Sequence, residues 1–547
     1  MPCRPVLKQK NFYVNESILQ PPSSIIPREL FERELSLLIH ALSNDTKMIR
    51  SFALSSFCLM LVAVGAPART RVTVNVDTRS QGVFIPADFV GLSFGTATEK
   101  AGNRGMHGHM FKPTNTELIA LFREMGIRNL RMGGVSVDNE KRIPTRKDID
   151  LLFGFAKAAG VKVIYSVRLL KGNPYQDASI ARYVWKKYGN YLDCFTIGNE
   201  PDWHYYHIHH SQIHESSPGV LGSAYASYFA SWKKFATIIA DSVPGARFAG
   251  PDAGSNYPIP GSKNNSYNGK SWTLNFAVDA SEWKIPNSGS LSFVTQHNYT
   301  GENAKTQRLT PSEMVRMMLS PVWDNSYYPA LYKAIGTPVL PEGLRYRLTE
   351  SNSFSGGVKN GSDCFATALY SLDYLYWWAE HHCLGVNFHT TQWLYNGTIC
   401  LDSSGNYQVR PMGYGIKAFS IGGHGDIMPV RVSNPQKVNM TTYAVKQTNR
   451  LCVTLINKEF GRGAREVKAE IESPGYTGSA RLMLLESKGH NAFATSGITL
   501  GGATIKNSGP WEGKWTPVRG IGTDTYDVKI PPSTAAILEI SSNSAGK

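Results

Sequence analysis

Phe195-Thr196-Ile197-Gly198-Asn199-Glu200-Pro201-Asp202 is the stretch on which the fold turns. Three β-branched or aromatic residues run straight into a glycine, an amide, a carboxylate and a proline. A parallel barrel strand ends this abruptly in polar residues at its C-terminal end, where functional groups gather. Tyr346-Arg347-Leu348-Thr349-Glu350-Ser351-Asn352-Ser353 repeats the pattern 150 positions later.

On either side of these stretches, short apolar runs alternate with helical patterns. Strands are expected over 89–94, 127–132, 162–169, 194–197, 247–249, 291–296, 346–349 and 385–388, with amphipathic segments over 115–125, 147–159, 224–241 and 363–382. Eight such units in about 300 residues predict an α/β chain folded as a (β/α)8 barrel rather than an open doubly wound sheet, and no Gly-x-Gly-x-x-Gly follows the first strand. After Ser420 the helical pattern gives way to runs at 441–445, 451–456, 467–471 and 535–540 between Gly, Asn, Ser and Pro clusters. These predict a C-terminal all-β sandwich. Val72, Val74 and Val76 alternate ahead of the barrel and predict a strand that crosses over to that sandwich. The resulting plan is an N-terminal extension with signal peptide over 1–68, the crossover strand over 69–84, the catalytic barrel over 85–407, and the barrel end with the sandwich over 408–547.

In such a barrel Glu200 ends the fourth strand and Glu350 the seventh, so the two can face each other across the axis. Two carboxyl groups about 5 Å apart suit cleavage of a glycosidic bond with retention, one donating a proton and the other attacking. Pro201 and Trp203 supply apolar bulk beside Glu200 that would raise its pKa, which suits the acid/base. Ser351, Asn352 and Ser353 flank Glu350, and Tyr299 at the end of strand six could hydrogen-bond it; such donors keep a carboxylate ionised, which suits the nucleophile. Asn199 is placed to meet a sugar 2-hydroxyl. No metal and no organic cofactor is expected. His204, His207, His209, His210 and His214 crowd one loop without His-Glu-x-x-His spacing, and read as a wall of the leaving-group side or as plain surface. Tyr374, Tyr376, Trp377 and Trp378 read as packing between barrel and sandwich.

Gly198-Asn199-Glu200-Pro201, His297-Asn298-Tyr299, Glu350-Ser351-Asn352-Ser353 and Ser355-Gly356-Gly357 together resemble glycoside hydrolase family 79, the β-glucuronidases and heparanases. The resemblance runs by motif from about Ala87 to Gly422, and by type only beyond. It implies a barrel with a C-terminal β-domain, Glu200 as acid/base and Glu350 as nucleophile. It further implies that Gly356 and Gly357 offer backbone N–H groups to a glucuronate carboxylate, with Tyr395 as a further ligand. The implied activity is retaining exo-β-glucuronidase action on a glucuronide or a glucuronic-acid-containing glycan. Endo-acting heparanase-like hydrolysis and another retaining barrel glycosidase are the alternatives, and a carbohydrate-binding barrel without turnover is the non-enzymatic one. The chain departs from the family where an acid commonly ends strand one: Gly95 stands there and Glu99 is the nearest acid. Val135 follows Arg131-Met132-Gly133-Gly134 where relatives carry a polar residue, and Ser355 precedes the Gly-Gly pair where heparanases have tyrosine.

Bulk properties agree with this class. The 547 residues carry 42% hydrophobic side chains and a formal net charge of +15, which favours an acidic partner. The basic residues are scattered rather than blocked, so they read as a plain basic surface or as a match to an acidic glycan rather than to nucleic acid. Residues 51–65 form an apolar run after Lys47 and Arg50 and before Ala66-Pro67-Ala68, the pattern of a cleaved signal, with Met48 at its start. Export to the periplasm or outside the cell follows, without stable membrane insertion, since a span needs about 20 apolar residues. Of seven cysteines, Cys194, Cys364, Cys383, Cys400 and Cys452 lie beyond the signal, without zinc-site spacing and with room for one unassigned bridge. The sequons at Asn264, Asn298, Asn360, Asn396 and Asn439 carry no expectation of glycosylation, because Asn298 falls at the active face.

Overall fold

The computed structural model describes residues 70–102, 108–205, 218–254, 266–267, 270–335, 340–341, 343–391, 395–402, 404–506 and 510–542, all of them in one compact unit. The signal-like run, Asn264 and the four histidines from His207 to His214 lie outside the described residues.

Eight parallel strands close into a barrel. They are Val90–Gly95, Asn129–Gly133, Lys162–Val167, Leu192–Ile197, Arg247–Ala253, Ser290–Asn303, Tyr346–Gly356 and Val386–His389, and the eighth returns to the first through Val386↔Val90. The expected fold class is therefore present. Three strands run further than their apolar residues suggest. The sixth and seventh continue past Gln296 and Thr349, in register from His297↔Glu350 to Asn303↔Gly356 after a bulge at Gln296/His297. Their polar residues are loop-like in composition, but at the barrel mouth they pair with one another and extend the ladder. Glu350 consequently stands inside the seventh strand, not beyond its end. The fifth strand runs through Pro251 and Asp252 to Ala253.

Alternation sorts each strand into outward and inward residues. Outward side chains such as Leu130, Tyr165, Phe195 and Phe248 join the main core with the surrounding helices. Inside, Ile164, Cys194, Ala249 and Phe293 form a separate small apolar cluster on strands three to six. Helix Arg146–Ala159 shows how local signals fix the outer ring: Thr145 and Asp148 form a capping box, Gly160 at φ 75 ends the helix, and Ile149, Leu152, Phe153 and Ala156 face the strands.

The C-terminal domain has two sheets around a second core. One is ordered Val430–Ser433, Thr70–Val76, Val467–Glu472, Thr525–Ile530; the other is centred on Met440–Lys446, Arg450–Asn457, Thr534–Ser541 and Ala480–Ser487. Thr70–Val76 enters the first sheet parallel to Val467–Glu472, with Val72, Val74 and Val76 in its core. Helix Phe365–Glu380 is not amphipathic as the pattern suggested: every residue from Phe365 to Ala379 is buried, because barrel and sandwich cover opposite sides of it. Tyr376 is the residue of its aromatic run that reaches the sandwich, stacking on Tyr443 and sharing a hydrogen bond with Thr454. Tyr374 meets the outer wall of the barrel, accepting from Asn298 at 2.7 Å, and Trp377 and Trp378 pack on Tyr328. The junction is locked by Lys458 of the sandwich, which donates to Asp324 and, at 2.7 Å, to Asp373. All five cysteines beyond the signal are free and buried. Among the described residues no helix is long and apolar enough to cross a membrane.

Candidate active site

At the C-terminal mouth the inward residues become charged. Arg131, from the second strand, is fully buried and organises them. Its Nη1 donates to Glu350 Oε2 at 2.6 Å and to Ser93 Oγ at 3.2 Å. Its Nη2 donates to Asn199 Oδ1 at 2.7 Å and Asp252 Oδ2 at 2.9 Å. Gly133 leaves room for this: a Cβ there would sit 2.9 Å from the guanidinium carbon. The Tyr299 hydroxyl donates to the other Glu350 oxygen at 2.6 Å.

Glu350 is thus held from both sides. Burial works to raise its pKa, but the His389 and His297 rings, Arg131 and the Tyr299 hydrogen bond outweigh it and hold the carboxyl at about 2. His389, 3.6 Å from Oε2, is itself pushed down by burial, so near neutrality the clamp on Glu350 is Arg131, His297 and Tyr299.

Glu200 follows the fourth strand. Gly198 at φ 82 turns the chain, and Glu200 itself adopts φ 45, a conformation that non-glycine residues hold only when neighbours impose it. Here Asp138 accepts the Asn199 N–H, and the Asp252 carbonyl accepts the Glu200 N–H at 3.0 Å. Gly254 gives the side chain its place, since a Cβ there would lie 2.7 Å from Glu200 Cδ. The group bonded to the Glu200 carboxylate is His297, whose Nδ1 is 3.0 Å from Oε1, while Trp203 is 40% exposed. One oxygen of each glutamate and a ring nitrogen of His297 lie within 4.8 Å of one another. Both Glu350 oxygens accept hydrogen bonds, from Arg131 and from Tyr299.

Asp252 completes the cluster. It sits at φ 55, accepts from Thr349 Oγ1 at 2.6 Å and Arg131 at 2.9 Å, and lies 3.7 Å from His297 Nε2. Burial works against its charge, but Arg131, His297 and Thr349 hold it far below the ordinary carboxylate range. His297 is fully buried; burial pulls its pKa down, yet Glu350, Asp252 and Glu200 push it up to about 9 against Arg131.

Asn199, Glu200, Tyr299 and Glu350 are therefore together. Asn199 Nδ2 is buried and without a protein partner. Gly356 closes the seventh strand opposite Asn303, and Gly357 lies against Ser362 and Asn396. Tyr395 is 37% exposed with the Arg410 guanidinium over its ring, 5.7 Å from the centroid. Glu99 faces away from the axis: it is fully buried, accepts from the Tyr165 hydroxyl, and is pushed up to about 8 by burial. Gly95 and Gly134 leave the rim beside Glu350 bare, a Cβ on Gly134 falling 3.8 Å from Oε2. Asn298 is fully buried and donates to Tyr374. Asp252, His389 and Asp138 join the site without any signal in the sequence pattern. A buried aspartate inside Gly250-Pro251-Asp252-Ala253-Gly254 carries turn chemistry in its sequence, which hides a strand end.

No family model matches this chain, and no curated protein matches it in sequence. Solved structures do. A 4-O-α-L-rhamnosyl-β-D-glucuronidase from Fusarium oxysporum 12S superposes with a TM-score of 0.59 at 17% identity, over 86% of this chain and 100% of its own. A family 51 α-L-arabinofuranosidase from Bifidobacterium longum gives 0.60 at 14%, over 86% and 99%. A family 39 enzyme from Xanthomonas axonopodis pv. citri gives 0.53 at 13%, over 88% and 100%. At such identities the likeness is one of fold, that of barrel glycoside hydrolases.

Proposed function

We propose that this chain is a retaining glycoside hydrolase of the family 79 type, an exo-β-glucuronidase that removes terminal β-D-glucuronic acid by double displacement. The observation that carries the reading is the Glu200–His297–Glu350 group, with an oxygen of each carboxylate inside 4.8 Å. So close an approach suits the roughly 5 Å carboxyl separation of retaining enzymes better than the wider separation of an inverting pair. Glu350, ionised and gripped by Arg131 and Tyr299, attacks the anomeric carbon. Glu200 protonates the departing oxygen and then deprotonates the water that releases the sugar. Asn199 Nδ2, having no protein partner, is a free donor for the 2-hydroxyl. The glucuronate preference rests on the Gly356-Gly357 turn, with Tyr395 and Arg410 nearby to favour an anion, and on the net charge of +15. The Fusarium neighbour acts on a rhamnosyl-glucuronide by its name, which suits the same substrate class. Export through the 51–65 run belongs to the same proposal.

A panel of aryl β-glycosides tests it. Release of the aryl group from the glucuronide, with the β-anomer of glucuronic acid formed first by NMR, is expected. Preference for an arabinofuranoside or xyloside would move the substrate to the other neighbours' class. Mid-chain cuts in a long polymer would make it endo-acting, and binding without hydrolysis of any member would make it a carbohydrate-binding protein.

A further inference from the structure

Two of the groups around Glu200, His297 and Asp252, have no assigned part in the double displacement, and a role for them rests on that reading of the site. His297 is fully buried and lies between Glu200 and Asp252, with Nδ1 3.0 Å from Glu200 Oε1 and Nε2, which has no hydrogen-bond partner among the described residues, at ion-pair distance from Asp252 Oδ1, 3.7 Å. Asp252 in turn supports Glu200 a second time, through the carbonyl that accepts the Glu200 N–H. The titratable groups around the ring are Glu200 after strand four, Asp252 from strand five, Glu350 from strand seven, Arg131 from strand two and His389 from strand eight, pushed toward its neutral form by burial, with Tyr299 on its own strand.

We propose that Asp252 is a positioning residue that keeps His297 as an imidazolium, so that Nδ1–H always donates to Glu200 Oε1 and the catalytic proton resides on Oε2.

The charges of the cluster favour this arrangement. Before reaction, with Glu200 protonated, Arg131 and His297 carry two positive charges against two negative ones on Asp252 and Glu350. In the first step the Glu200 proton passes to the glycosidic oxygen as the C1–O bond breaks and the Glu350–C1 bond forms. Glu350 loses its charge in the ester while Glu200 gains one, so the balance is preserved, and the new carboxylate already has an imidazolium N–H on it. In the second step water gives its proton to Glu200 and its oxygen to C1, and Glu350 is released. A buried site that stays neutral through both steps never exposes an uncompensated charge. Without Asp252 the two cations would outnumber Glu350, and the imidazolium would be the first to lose its proton.

Asp252→Asn tests the idea while keeping an oxygen for Arg131. Its amide nitrogen offers His297 Nε2 a donor where a carboxylate stood, which favours the neutral ring, as a wrong-tautomer substitution does in other histidine-dependent sites. Removing a negative charge also makes the Glu200–His297 pair release protons at lower pH. The expected result is a basic limb of kcat/KM moved by about one unit toward acid. The loss on a phenyl-type glucuronide should exceed that on the dinitrophenyl glucuronide by about 10-fold or more, since the latter needs no acid. A limb that does not move, or equal losses on both substrates, would overturn the proposal and leave Asp252 a packing residue. Independently of any substrate, histidine side-chain ¹⁵N NMR should show the His297 ring doubly protonated at neutral pH in the parent, and neutral or titrating lower in Asp252→Asn. A neutral ring in the parent overturns the proposal even if glucuronide hydrolysis is found. A charged ring in a protein that hydrolyses no glycoside would keep the positioning role and remove only the functional reading.

Discussion

The barrel holds a fully buried arginine at each end, and the two are used in opposite ways. At the bottom Arg347 donates to the Asn387 side chain and to the carbonyls of Asp88 and Leu384. Asn387 passes the chain on to Asn129, and Asn129 to Asp193. Its ionic partner, Asp88, lies 3.4 Å away and is 37% exposed, so water shares that charge. At the top Arg131 donates to Glu350, Asp252, Asn199 and Ser93, and its Nε is left without a partner. The lower arginine closes the barrel with neutral acceptors and one water-shared carboxylate. The upper one gathers ionised side chains, Glu350 and Asp252, at the end of the barrel where parallel-barrel proteins carry their functional groups.

Substitutions at the two ends should therefore fail differently. Glu350→Gln should lower turnover by about 10⁴-fold or more on every substrate, because no other nucleophile stands near the anomeric carbon, while thermal unfolding stays close to the parent. An equal activity loss in a bottom variant would erase the distinction. Arg347→Met is that variant: it leaves buried acceptors on Asn387 and two carbonyls unpaired and should cost about 2–4 kcal/mol by urea unfolding, with kcat per folded molecule within a few-fold of the parent.

Much of this contrast is legible in the amino-acid sequence. The alternation of eight apolar runs with helical patterns identifies the barrel, and the abrupt change from apolar to polar residues at Asn199-Glu200 and Glu350-Ser351 identifies the end at which its charged residues gather. The extensions of strands six and seven are not legible, because Asn298 to Asn303 and Ser351 to Gly356 are polar and become strand only by pairing with each other. Asp252 is hidden by the turn-like Gly-Pro that precedes it. His297 is visible as a motif residue, but its place between Glu200 and Asp252 depends on the bulge at Gln296/His297, which no periodicity encodes. Helix Phe365–Glu380 reads as amphipathic because a pattern of apolar residues alone does not distinguish burial on two sides from burial on one.

A smaller change is expected at Tyr299. Tyr299→Phe removes the hydrogen bond to Glu350 Oε1, so the carboxyl pKa rises from about 2. The acid limb of kcat/KM should move to higher pH with a loss of about 10- to 100-fold; an unmoved limb would mean that Arg131 and His297 set Glu350 without it. The smallest effect lies on the outer ring. Asp177 is buried, its Oδ2 has no partner, and burial pushes its pKa from 3.8 up to about 8. Between those values the folded state binds a proton that the unfolded state has lost, so this group makes stability fall as pH rises. Asp177→Asn should flatten the stability profile by about 1 kcal/mol or more between about pH 5 and 8, measured by urea unfolding across that range.

On the proposed double displacement the two glutamates divide the labour, and azide separates their roles in a single experiment. In Glu200→Ala the glycosyl–enzyme formed on Glu350 from dinitrophenyl glucuronide lacks its general base, and azide can attack it without one. Faster turnover with added azide and a β-glucuronosyl azide product are predicted. An α-azide from Glu200→Ala, or a β-azide from Glu350→Ala, would contradict the assignment.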